Sequence, residues 1–128
     1  MPKKILSIVE TAYRATLEEQ DDPVLWLNHV LKGAGGEVSV LLQGNAVNYA
    51  VKGQDASGLA FGGRQQTQPP KLDRDVSTLA QKGVTVLFVE DDATERGILP
   101  ADLIEGIEPI RRTALPRLLA GFDQVFHW

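Results

Sequence analysis

At 128 residues the chain has the size of one domain and can bury a core without a disulfide or metal staple. It holds no cysteine, which excludes disulfides, thiolate metal sites, persulfide carriage and cysteine nucleophiles. A net charge of −4 with scattered Lys and Arg leaves no basic footprint for nucleic acid, and 43% hydrophobic with 23% charged residues is ordinary globular composition.

In chain order, Lys4 to Glu10 (KILSIVE) is an apolar run that predicts a strand buried on both faces of a parallel sheet. Its apolar part is too short for a signal-peptide core. The longest apolar runs, such as Val86-Leu87-Phe88-Val89, fall far short of the roughly 18 residues of a membrane span. No membrane partner is expected, and the protein reads as cytoplasmic.

Asp22-Pro23 is a cap followed by proline at the first helical position, and Val24, Leu25, Leu27, Val30 and Leu31 continue at helical spacing. The helix stops at Gly33-Ala34-Gly35-Gly36. Glu37 to Gln43 (EVSVLLQ) reads as a second strand, and Ala46 to Lys52 as a short helix stopped by Gly53. From Gln54 to Gln68 neither period is sustained, which predicts a loop, with Gly62-Gly63 supplying flexibility. Inside it, Leu59-Ala60-Phe61 is an apolar patch suited to a subunit interface, a pocket lid or the domain's own core.

Leu72 to Lys82 has a helical apolar stripe of Leu72, Val76, Leu79 and Ala80, with Gly83 as its stop. Val84 to Val89 is the clearest buried strand. Glu90-Asp91-Asp92 follows it, then one helical turn from Ala93 to Arg96. Asp102 to Ile110 is a weak strand candidate around Gly106, Thr113 is placed to cap a helix from Ala114 to Ala120, and Asp123 to Trp128 reads as a terminal strand. Strands alternating with helices imply a three-layer α/β/α sandwich built as a single domain over residues 1–128.

Ligands of such sheets sit beyond the carboxyl ends of the strands, which nominates Glu10, Tyr13, Arg14, Asn45, Val89, Glu90, Asp91 and Asp92 as ligand-binding candidates. Arg14 can hold an anion by paired hydrogen bonds, or pair with Glu18 or the acids after the third strand. The three acids can bind a divalent ion, act as bases, or simply cap a helix N-terminus. Neither Gly33-Ala34-Gly35-Gly36 nor Gly62-Gly63-Arg64 has the order of a phosphate cradle. His29 and His127 are isolated from any nucleophile motif, so no catalytic triad is read.

The order of these features resembles the DsrE/DsrF-like family of small sulfur-relay proteins, including its YchN-type members. The pieces that carry the likeness are Lys4 to Val9, Gly44-Asn45-Ala46-Val47 with Lys52-Gly53-Gln54, and Lys82-Gly83-Val84-Thr85-Val86. Arg96-Gly97-Ile98, Leu103 to Glu108 and Phe122-Asp123-Gln124-Val125 complete it. The resemblance implies a five-stranded parallel sheet, assembly as a homotrimer or homohexamer, and sites near subunit contacts.

It also implies a departure. The sulfur-bearing cysteine of the family falls on Val89, and a second one, present in some members, falls on Asp92. Neither side chain can carry or relay sulfane sulfur. The expectation is therefore a cysteine-free, non-catalytic binding or scaffold subunit with no cofactor and no metal, alone or with a cysteine-bearing paralogue. The alternative is a carboxylate- or metal-dependent enzyme built on Glu10, Glu90, Asp91 and Asp92.

Overall fold

A computed structural model describes residues 3–11, 23–54, 58, 60–67 and 71–128 of the chain. Strand β1, Lys4–Val9, buries Leu6, Ser7, Ile8 and Val9 in succession, as a strand covered on both faces of its sheet must. Helix α1, Pro23–Gly33, forms where the stripe predicts it, but of that stripe only Val24 and Leu25 are buried, with Asn28 beside them; Leu27 and Leu31 are partly buried and Val30 is exposed. Strand β2, Glu37–Leu42, lies parallel to β1 with Leu6 opposite Ser39 and Val9 opposite Leu42.

The short helix after β2 differs from the expectation in kind and place: it is a 3-10 helix over Gly44–Ala50. It buries Ala46, Val47, Tyr49 and Ala50, and a turn of three residues stacks Ala46 on Tyr49 and Val47 on Ala50, which suits burial on one side. The expected loop also holds structure. Strands β3, Ala60–Phe61, and β4, Arg64–Gln65, pair as an antiparallel hairpin. Its two-residue turn is Gly62-Gly63, both at positive φ (55° and 82°), the geometry of a type I′ turn. The glycines thus fix a turn where the sequence suggested flexibility alone. Leu59 and the side chain of Phe61 lie outside the described residues.

Helix α2, Leu72–Gln81, and strand β5, Thr85–Val89, match expectation to within a residue or so. Helix α3, Glu90–Glu95, begins three residues earlier than the predicted turn, with the acidic triplet as its first turn. A 3-10 turn over Pro100–Asp102 shortens the next strand, β6, to Glu108–Ile110. Thr113 lies inside a second 3-10 turn, Arg112–Ala114, rather than capping helix α4, which spans Leu115–Ala120. Strand β7, Gln124–His127, ends the chain's secondary structure.

The five main strands form one parallel sheet in the order β6-β5-β2-β1-β7. From β1 the chain steps outward through β2, β5 and β6, then returns to place β7 on the other side of β1. The apolar side chains divide accordingly. Val9, Val40, Leu42, Val86 and Phe88 pack with α1, α2 and the 3-10 helix, whereas Leu6, Ile8, Leu41, Leu87 and Val89 pack under Leu115 and Leu118 of α4. This is the α/β/α layering expected. No helix among the described residues is long and apolar enough to cross a membrane.

Candidate functional site

The strand order reverses between β1 and β7. In a doubly wound sheet that boundary opens a crevice at the carboxyl ends of the strands, where ligands bind. Glu10 follows β1 and His127 ends β7, and the register that sets Ile8 opposite His127 brings them together. His127 Nε2 lies 2.8 Å from Glu10 Oε2, and the Gln43 amide, one residue past β2, donates to the same oxygen at 3.0 Å. The side chains of His127 and Glu10 are 55% and 46% exposed. The Gln43 and His127 contacts, in that order, hold the Glu10 carboxyl below its ordinary range. Backbone bonds close the arrangement: Trp128 N–H donates to the Ile8 carbonyl, and the Trp128 carbonyl accepts from Glu10 and Thr11.

A second carboxylate node stands beside the first, with different chemistry. Asp92 is 9% exposed. Its Oδ2 accepts the Gly44 N–H at 2.8 Å and its Oδ1 accepts Arg112 Nη2 at 2.5 Å, so both oxygens are engaged. Arg112 also reaches Glu95 at 3.1 Å, while its own N–H donates to Asp91 Oδ1 at 2.9 Å. That backbone donation lowers the Asp91 pKa, and the Asp92 and Glu95 contacts raise that of Arg112. The node ties the start of the 3-10 helix, α3 and the segment before α4 into one corner. Gly44 sits between the nodes at φ +57°, and a Cβ there would come 3.3 Å from Glu10 Cγ.

The candidates from sequence distribute unevenly over this geometry. Glu10 is at the carboxyl edge of the sheet, between β1 and β7. Asp91 and Asp92 hold Arg112 and Gly44. Asn45 accepts from Arg96 Nε at 3.1 Å, and Arg96 also donates to the Asp92 carbonyl. Glu90 lines an apolar cavity under α3. Val89 is 1% exposed within the cluster under α4. Tyr13 and Arg14 lie outside the described residues.

Gln43, Arg112 and His127 were missed. His127 could have been found only by knowing that the last strand pairs with the first, and Arg112 carries no local signal. Among the described residues, no group of three or more His, Asp and Glu side chains is placed to hold a metal ion together.

Comparison with solved structures gives the same fold elsewhere. The YchN protein from E. coli superposes with a TM-score of 0.74 at 19% identity, covering 98% of this chain and 99% of that one. A protein of unknown function, MTH1491 from Methanobacterium thermoautotrophicum, superposes with a TM-score of 0.59 at 18% identity, covering 97% and 98%. Neither protein-family models nor curated proteins give a sequence match. The fold is therefore YchN-like, and at these identities the likeness speaks for the fold alone.

Proposed function

We propose that this chain is a non-catalytic binding or scaffold subunit of DsrE-like type, cytoplasmic and accessory to sulfur relay. It assembles as a homotrimer or homohexamer, or beside a cysteine-bearing relative, and offers the β1/β7 crevice to a small polar ligand. The observation that carries this reading is the burial of Val89. The position that the resemblance gives to the sulfur carrier is filled by a valine packed among Leu6, Ile8, Leu41 and Leu87. It has neither a reactive atom nor a surface. The crevice supports the binding half, since Glu10, Gln43 and His127 present a carboxylate, an amide and an imidazole at one exposed place.

The enzyme alternative draws on Glu10, Glu90, Asp91 and Asp92. Asp91 and Asp92 have bonds of their own to keep, which favours the binding reading over it. Native mass spectrometry of the protein isolated from its own cells tests the proposal. A mass at a whole multiple of the chain, a second chain, or a retained small molecule supports it. A bare monomer at all concentrations overturns it.

A further inference from the structure

Under α3, away from the β1/β7 crevice, lies an apolar cavity of about 260 Å³. Its floor is Phe88 and Leu103, 7% and 8% exposed, and its walls are the partly buried Ile98, Ile104 and Ile107. Among the described residues, Glu90 is the one charged residue lining it, and its carboxylate, exposed at the rim, has no hydrogen bond or salt bridge to any of them. Neighbouring acids differ in this respect, since Asp91, Asp92 and Glu95 all bind Arg112.

We infer that this cavity binds a small apolar amine, with its aromatic or branched-alkyl body among the isoleucines and its ammonium on Glu90. A cavity of roughly 150 Å³ lined by aliphatic side chains takes up benzene, so this volume holds one ring with a short side chain. Size therefore limits the body, and charge selects the head. An anion would meet Glu90 with no cation lining the cavity to offset it, and a neutral molecule would forgo the ion pair.

The inference rests on the binding-subunit reading but places a ligand at a different site. The test is a two-dimensional amide NMR titration of the full chain with 2-phenylethylamine, 2-phenylethanol and 3-phenylpropionate. The amine is expected to shift the amides around Phe88, Ile98, Ile104 and Ile107 and to bind about three- to five-fold more tightly than the alcohol, with the carboxylate weakest. Glu90→Gln should erase the preference for amine over alcohol and leave alcohol binding unchanged. Thr94→Arg, an exposed change at the same rim, should weaken the amine and favour the carboxylate.

Equal binding of amine and alcohol by the wild type overturns the ligand class, and so does a preference that survives Glu90→Gln. Absence of binding by all three overturns the cavity as a site. Concentration-dependent shifts of the same amides without any probe also overturn it, because a second copy then fills the space. In each case an oligomer seen by native mass spectrometry leaves the subunit reading standing.

Discussion

Two carboxylates, Glu10 and Asp92, stand near each other at the carboxyl edge of one sheet, and burial separates what they do. Asp92 is nearly sealed and spends both oxygens on Gly44 and Arg112, so it holds three segments of the chain in place. Glu10 is half exposed and spends one oxygen on both Gln43 and His127, leaving Oε1 without a partner among the described residues. A sequence shows two acids after two strands. Only the surrounding donors make one a structural tie and leave the other open to solvent.

The sharpest way to break this distinction is Asp92→Ala. It strands the Gly44 N–H and one face of the Arg112 guanidinium, and is expected to cost about 2–3 kcal/mol in urea unfolding. An effect near zero would make Asp92 as dispensable as a surface acid.

Gly44→Ala acts on the boundary between the nodes. A left-handed backbone strains any residue with a Cβ by about 1–2 kcal/mol, and that Cβ would press on Glu10. The expected result is a lower urea midpoint together with shifted His127 ring resonances. A stability loss without any change at His127 would separate the two nodes.

Val89→Cys puts a thiol where the resemblance expects one. It should cost about 1 kcal/mol, and the thiol should react with a thiol reagent only as fast as the protein opens. Rapid labelling of the folded protein would show that the position reaches the surface.

Glu10→Gln has the smallest expected effect, about 0.5 kcal/mol at neutral pH, because the pair is exposed and screened. The folded carboxyl titrates below its ordinary 4.5, so its contribution is present above that pH and fades as pH falls through the folded value. Unfolding curves of wild type and variant should therefore differ at pH 7 and converge toward pH 3. A difference that grows between pH 4.5 and pH 3 would contradict the assigned direction.

The fold was largely legible because its signals are local. The apolar run Lys4 to Val9, the stripe of Leu72, Val76 and Leu79, and the glycine after each helix each act within a few residues. Where tertiary contacts decide, the sequence was quiet. The 3-10 form of Gly44–Ala50 follows from burial between α2 and α3, and the Gly62-Gly63 turn follows from pairing of two very short strands. The site was less legible still. Glu10 and the acidic triplet could be nominated from their places after strands, but the strand order that sets β7 beside β1 and delivers His127 is not written in any segment.

The most direct test of the division between the nodes is the hydrogen-exchange rate of the Gly44 amide, measured against the Leu41 amide in the same spectra. With Asp92→Ala, exchange at Gly44 should accelerate beyond any change at Leu41, while Glu10→Gln should leave the ratio as in the wild type. Loss of Gly44 protection in Glu10→Gln, or its retention in Asp92→Ala, would contradict the account.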